Sequence, residues 1–379
     1  MLTALLPVLA GGVLVLLLPL LGAVLGGLPL PERLQLPLTA RAWDPLGPSP
    51  LITWSTDGLA LLLLAACVFF AWPRRPAGPR MPTTVSGRIR RFAWLGVFAL
   101  LLALIAADGG AVSAVIGLVT LALAIFANAD TERRTGHSLL SRRPGYFGSL
   151  FAASLIAGWL LFYWLNLYLQ LWTYPAATEA VPFLLGQSLH YAVLLPALLS
   201  LRQWLASYPA LLGAVTRAEP LAGGTAAAQE GWVLLLVALP ALAGAALWPD
   251  WIYPLTLSAP LLMAIALQQI RRRPTPFAGI ATGDWSRILL PALAALLLGL
   301  LTQGLNALLG PAWVIQLPLL GGPALFGLPL AAWVWIALLG PFGVWLSDQL
   351  TKPWQERPQQ PLPRSRFPVR VEIGGNRLN

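Results

Sequence analysis

The sequence predicts an all-α, polytopic transmembrane helix bundle, and three observations lead to that fold class. The 379 residues are 58% hydrophobic and 10% charged, with a mean hydropathy of +0.73, which is too apolar for the surface and core of one soluble domain. About ten apolar segments have the length of a bilayer-crossing helix. Basic residues occupy alternate connections between those segments, as the positive-inside rule requires.

The apolar segments follow one another along most of the chain. We place them at residues 4–28, 51–72, 92–107, 110–127, 148–172, 181–201, 231–248, 251–270, 288–309 and 322–346. No positive charge precedes the first apolar run, so we predict a retained span, although the small residues at 22–27 could imitate a cleavage site. Five prolines after 346 predict an extended tail.

The distribution of charge predicts the topology. Of the 24 Lys and Arg residues, 22 lie in the even-numbered connections or in the tail, and only Arg33 and Arg41 lie on the other side. Both termini are therefore predicted to be cytoplasmic, in a bacterial inner membrane. The same asymmetry explains the net charge of +10 without nucleic-acid binding.

Several kinds of site are not expected from the residue types present. Cys67 is the only cysteine, which excludes a disulfide or a cluster of cysteine ligands within the chain. His137 and His190 are the only histidines, and His137 is predicted to lie in a cytoplasmic loop, so the two cannot ligate one membrane haem. No P-loop or nucleophile elbow is present. We predict no catalytic, cofactor or metal site.

A four-span unit is predicted to occur twice. Segment 158–172 has the order Gly, Asn, Trp, and segment 299–313 repeats that order. Each unit has an even number of spans, so both copies enter the membrane in one direction and their twofold axis lies near the membrane normal. The predicted parts are an N-terminal hairpin (1–72), two parallel four-helix repeats (92–204 and 231–348) and a cytoplasmic proline-rich tail (349–379).

The residues around these motifs resemble a known family. Segments 133–144 and 162–172, together with 283–285 and 306–321, are similar to an uncharacterised family of bacterial polytopic inner-membrane proteins with a duplicated four-helix unit. The resemblance covers about 92–346. It implies a glutamate three residues before each asparagine, where this chain has Tyr163 and Gln303. Carboxylate chemistry of that family is therefore not expected in this chain.

Polar residues inside the spans form a predicted polar seam or ligand cavity. Its members are Asn166, Asn306, Gln303, Tyr163, His190 and Gln187. A polar side chain facing lipid is costly, so these residues should face protein. They could join helices by hydrogen bonds or bind a ligand, and His190 could also relay protons. Asp108 and Asp250 are predicted to be hydrated turn acids, and Asp284 to cap the ninth span.

The function that this pattern favours is a non-enzymatic membrane subunit or scaffold. Its partners would be membrane lipids and other membrane proteins, because apolar surface is abundant and candidate catalytic groups are missing. The alternative is a carrier or flippase for an apolar or zwitterionic small molecule or lipid, bound between the two units. An intramembrane enzyme acting on lipid or quinone through His190 is the third hypothesis, so the sequence leans against an enzyme without excluding one.

Overall fold

The structure is a computed structural model that describes residues 2–28, 35–71, 87–108, 111–221 and 228–351. Arg33, the side chain of Asp108 and nearly all of the predicted tail (349–379) lie outside the described residues. Expectations about those parts of the chain stay predictions.

The described chain is mainly helical. Its long helices are α1 (Leu2–Leu25), α2 (Pro50–Ala71), α3 (Gly87–Asp108), α4 (Val112–Thr135), α6 (Pro144–Gly158) continued by a π-helical segment (Trp159–Trp164) and α7 (Leu165–Leu169), α8 (Ala180–Ala206), α10 (Ala228–Gly244), α11 (Pro249–Ile270), α12 (Ser286–Leu308) and α13 (Ala332–Thr351). Short helices are α5 (Leu139–Arg142), α9 (Pro209–Thr216) and a 3₁₀ turn at Ile280–Thr282.

Seven of the described helices are long and apolar enough to cross a membrane. They are α1, α2, α4, the composite α6–α7, α8, α11 and α12. Helix α10 has a shorter apolar stretch, Gln229–Gly244, and α3 has Arg90 and Arg91 in its first turns. The prediction of an all-helical bundle is therefore confirmed at the level of a mainly helical chain with seven candidate spans.

Two predicted boundaries were wrong, each for a local reason. The span predicted at 322–346 begins as a hairpin of β3 (Ala324–Leu325) and β4 (Leu328–Pro329), because Gly327 adopts a φ of 76° in the turn. Helix α13 begins only at Ala332. Helix α4 runs beyond the predicted end at 127 and stops at Thr135, where Gly136 adopts a left-handed φ of 76°.

Helix α8 lies at the centre of the bundle. It packs against α4 and α6 on one side and against α12 and α13 on the other. A core of Leu and Ala side chains from α8, α12 and α13 fills one half of this contact, and an aromatic core that includes Tyr168, Tyr174 and Tyr253 fills the other. The first half of the chain thus meets the second half along α8.

The two ends of the bundle differ in composition. At one end, which we call the strand end, β1 (Trp172–Thr173) pairs antiparallel with β2 (Val314–Ile315), with Thr173 opposite Val314. At the other, which we call the basic end, Arg134 lies against Tyr208, and Arg287 pairs with Asp348 at 2.5 Å. Asp284 accepts a hydrogen bond from Ser286 N, the first residue of α12, at 3.1 Å, whereas Trp285 occupies the N-cap position and its side chain makes no capping bond.

Asp250 is not a hydrated turn acid, and that prediction was wrong. Its carboxylate is buried because loop 35–49 folds across the strand end and bonds to it. The Leu46 N–H donates to Oδ2 at 2.9 Å, and Arg41 lies 3.4 Å from Oδ1. Burial lowers the pKa of Arg41 although Asp250 opposes the shift. One loop therefore connects both halves of the bundle at this end.

Candidate functional site

A cavity of about 290 Å³ lies where the two halves of the bundle meet. Its walls come from α6, the π segment and α8 on one side and from α12 and α13 on the other, with Trp172 and Ile315 at the strand end. Small-molecule pockets usually have volumes of roughly 300–1,000 Å³. Most lining side chains are apolar, and none of the described lining residues is Asp, Glu, Lys or Arg.

Gln187 and His190 line this cavity from α8, and each has one unpaired polar atom. They are one helical turn apart on α8, so their side chains share a face. Both are buried, and neither Oε1 of Gln187 nor Nδ1 of His190 has a hydrogen-bond partner among the described residues. A buried polar atom left unpaired costs about 1–3 kcal/mol. The two atoms lie within the cavity wall, where neighbouring atoms cover them.

The second half of the chain contributes Trp313 and Gln303. The Trp313 ring lies 5.2 Å from the His190 ring, centroid to centroid, at an interplanar angle of 31°. Its Nε1–H donates to Oε1 of Gln303 at 3.3 Å. His190, Trp313 and Gln303 therefore form one contiguous wall across the junction of the halves.

Two tyrosines close the polar end of the cavity. The hydroxyl oxygens of Tyr174 and Tyr191 are 2.9 Å apart, and the Gln187 side chain lies beside Tyr191. Burial raises the pKa of Tyr174 well above its usual value, which keeps this hydroxyl protonated. The pair adds hydroxyl groups to the wall without adding a formal charge.

A serine from α6 hydrogen-bonds to the backbone of α8 next to His190. The Ser154 hydroxyl donates to the Tyr191 carbonyl at 2.6 Å and accepts from the Leu195 N–H at 2.9 Å. In a regular α-helix the Tyr191 carbonyl and the Leu195 N–H would bond to each other. The serine hydroxyl bonds to both of these groups, immediately before Pro196. A side chain that enters the helical hydrogen-bond ladder is a known cause of bending. The contact joins α6 to α8 beside the cavity.

Asn166 and Asn306 lie outside the cavity and hold the loops that carry its tryptophans. The Asn166 amide donates to the Trp172 carbonyl at 2.6 Å and accepts from Leu171 N at 2.9 Å. The Asn306 amide donates to the Trp313 carbonyl at 2.9 Å and accepts from Ala312 N at 2.9 Å. Each asparagine thus bonds within its own half, and neither bridges the two halves directly.

Tyr163 also lies outside the cavity. Its hydroxyl donates to the Gln35 carbonyl at 2.6 Å, at the start of loop 35–49. Of the six residues in the predicted seam, the structure therefore brings Gln187, His190 and Gln303 to the cavity. Tyr163, Asn166 and Asn306 shape the surrounding loops.

Sequence reasoning missed several groups that build the site. Tyr174, Tyr191, Trp313 and Ser154 take part through contacts between distant segments, and only the spacing of Tyr191 from Gln187, on one helix face, was a usable signal. A polar cluster at the basic end was also missed, in which the Asp130 carboxylate accepts hydrogen bonds from Arg133, Arg134 and Trp204.

Metal binding has no support within the described ranges, where no group of three His, Cys, Asp or Glu side chains lies close enough to hold an ion. The cavity is an apolar chamber with hydrogen-bonding, uncharged side chains at one end. Comparisons of the chain with protein-family models, with curated proteins and with solved structures found no match.

Proposed function

We propose that this protein is an integral membrane protein that binds, and as a carrier moves, a small and mainly apolar molecule with one polar group. The observation that supports this function most directly is the pair Gln187 and His190, whose Oε1 and Nδ1 atoms are unpaired in the wall of a mainly apolar cavity. The carrier hypothesis therefore ranks above the scaffold that the sequence favoured.

The polar group of this ligand is uncharged. A charge in a chamber without an opposite charge would meet a large desolvation penalty. Gln187 Oε1 accepts a hydrogen bond, and His190 Nδ1 donates or accepts according to its tautomer. A hydroxyl group both donates and accepts a hydrogen bond, so its chemistry matches both side chains. His190 has no acidic side chain among the described cavity residues to orient it as a base, so catalysis is not proposed.

We further propose ten spans with both termini in the cytoplasm of a bacterium. The ends of α4, α8 and α12 that carry Arg134, Arg202 and Arg287 lie together at the basic end, which is the arrangement expected of a cytoplasmic face. Loop 35–49 would then face the periplasm, together with the strands.

A duplication of the four-helix unit is part of the same proposal. The two asparagines make matching bonds to Trp172 and Trp313, and the strands that follow pair with each other. Equivalent strands that meet on a twofold axis and run across it must be antiparallel. In this register Thr173 and Val314, which follow the two tryptophans, lie opposite each other. The cavity would then lie beside the axis.

The ligand site is tested by what the purified protein retains. Wild-type protein, His190→Phe and Gln187→Leu are purified in mild detergent, extracted with organic solvent and analysed by mass spectrometry. We expect the extract of wild-type protein to contain one class of uncharged compound, in a nearly stoichiometric amount relative to the protein. Both variants should lack this compound. His137→Phe, the same change at the other histidine, should retain it. Retention by all variants, or no such compound in wild type, contradicts the proposal.

A membrane subunit is the second candidate function, and one feature of α2 favours it. This helix is held through Thr53 and Asp57, which bond to the backbone at Gly321 and Ala331, whereas Leu62 and Leu64 are exposed. The occupant would be a transmembrane helix of another protein. If so, Leu62→Ala with Leu64→Ala should release a copurifying membrane protein. Leu104→Ala on α3, where Leu104 is equally exposed, is the control.

A further inference from the structure

A second, mainly apolar space lies beside the cavity. It is a groove of about 880 Å³ between α1, the composite helix α6–α7, α11 and α13. Gly11 on α1 lines it, and an added Cβ at Gly11 would meet no atom within 4 Å. The groove is therefore open along the middle of α1, where residues such as Val13 and Leu16 are exposed.

The groove and the cavity share part of their walls. Leu161 and Phe342 line both of them, and also line a small pocket of about 40 Å³ between α11, α13 and the π segment. Leu161 belongs to the π segment, whose wider turn interrupts the regular helix at this place. Four residues, Ala157, Leu161, Phe342 and Leu346, therefore form the wall shared by the apolar groove and the cavity that holds His190.

The two halves of the chain differ in how tightly their helices pack beside the cavity. In the first half of the chain, α4 packs closely on α8, and a Cβ added at Gly117 would lie 3.0 Å from the His190 backbone nitrogen. In the second half, α11 makes a sparser contact with α13. Leu257 and Pro260 line the small pocket there. The cavity is thus walled by tight packing on one side and adjoins a loosely packed seam on the other.

From this geometry we infer that the ligand is an uncharged, single-chain amphiphile whose polar group lies at Gln187 and His190 and whose chain passes Leu161 and Phe342 into the groove. This inference rests on the proposed function and adds the substrate class and its route. The strands and Tyr174 form the wall of the cavity at the strand end, so the chain extends sideways toward lipid. The apolar walls accept the chain, and the cavity provides no cation for an acidic group.

Photoaffinity labelling tests the route with probes of two lengths. Hexadecanol and octanol, each with a diazirine in the chain, are added to the purified full-length protein, and labelled peptides are identified by mass spectrometry. We expect hexadecanol to label the π segment and residues 7–16, and octanol to label the cavity. Hexadecanoic acid with the same diazirine, ionised at neutral pH, should label neither region above background.

Variants then separate the route from the site. Gly11→Phe fills the groove and should lower hexadecanol labelling by about tenfold while octanol labelling stays unchanged; Gly58→Phe, where a Cβ on α2 also meets open space, is the control. Unchanged hexadecanol labelling in Gly11→Phe, with loss of both labels in His190→Phe, overturns the chain route and leaves the proposed site intact. Unchanged labelling by both probes in His190→Phe overturns the proposed site as well.

Discussion

At the scale of single residues, Asn166 and Asn306 show how an intramembrane amide can be satisfied without bridging helices. Each bonds to both a carbonyl and an N–H of the loop that follows its own helix. The sequence predicted that both amides face protein, and both are buried. It could not identify their partners, because a side chain's partner depends on the path of the loop rather than on residue spacing.

Replacing either asparagine with leucine should lower stability before it changes ligand specificity. Each lost hydrogen bond contributes about 0.5–1.5 kcal/mol, and each buried backbone group left unpaired costs about 1–3 kcal/mol. The midpoint of thermal denaturation in detergent should therefore fall clearly for Asn166→Leu. Asn166→Asp keeps the acceptor for Leu171 N but loses the donor to the Trp172 carbonyl and buries a carboxylate, so its midpoint should also fall. Equal midpoints for wild type and Asn166→Leu would contradict this assignment.

Asp250 is one of several anchors of loop 35–49, and its removal should loosen the loop around Arg41 and Leu46. In Asp250→Ala, Arg41 loses its buried partner and Leu46 N loses its acceptor. We expect faster proteolysis within residues 35–49, measured on protein in detergent. Asp44→Ala, which removes an exposed acid from the same loop, should be cleaved at the wild-type rate. Similar rates for all three proteins would show that the anchor is unimportant.

At the scale of elements, α6 and α8 meet through a glycine. An added Cβ at Gly158 would lie 2.5 Å from the Cβ of Tyr191, so Gly158→Ala must push the two helices apart. Overpacking of this kind costs about 1–3 kcal/mol. We expect a lower denaturation midpoint and weaker retention of the ligand, because both helices line the cavity.

A second glycine on the same helix is the matched control. Gly148 has open space around an added Cβ, so Gly148→Ala gains helix propensity of about 0.5–1 kcal/mol without a clash. The two alanine variants should therefore shift the denaturation midpoint in opposite directions. A shift in the same direction for both would show that the close contact at Gly158 is not what limits packing.

The helices were easier to predict than the segments that connect them. Long apolar runs such as 181–201 have few alternatives to a helix, and α8 covers that run. The β3–β4 hairpin was missed because Ala324 and Leu325 are as apolar as the helix that follows. The cavity was predicted only as far as Gln187, His190 and Gln303, since Ser154 and Trp313 join it through tertiary packing.

At the scale of the whole molecule, the proposed topology makes a labelling prediction. In a Cys67→Ala background, a cysteine at exposed Thr178 near the strand end should react with a membrane-impermeant maleimide from the periplasm of intact cells. Cysteines at exposed Arg142 and Arg272 should react only after the membrane is opened. Asp250 is unsuitable as a reporter because it is buried. Labelling of position 272 in intact cells would contradict the proposed orientation of the protein in the membrane.

The central claim is that a bound molecule hydrogen-bonds to the polar side chains of the cavity wall. A cryo-electron microscopy map of the protein in lipid nanodiscs tests this claim most directly. We predict non-protein density between α8 and α12, with a polar group at about 3 Å from the Gln187 or His190 side chain, continuing past Leu161 toward the groove. A map in which the cavity is empty, or in which protein side chains satisfy both atoms, would contradict the claim.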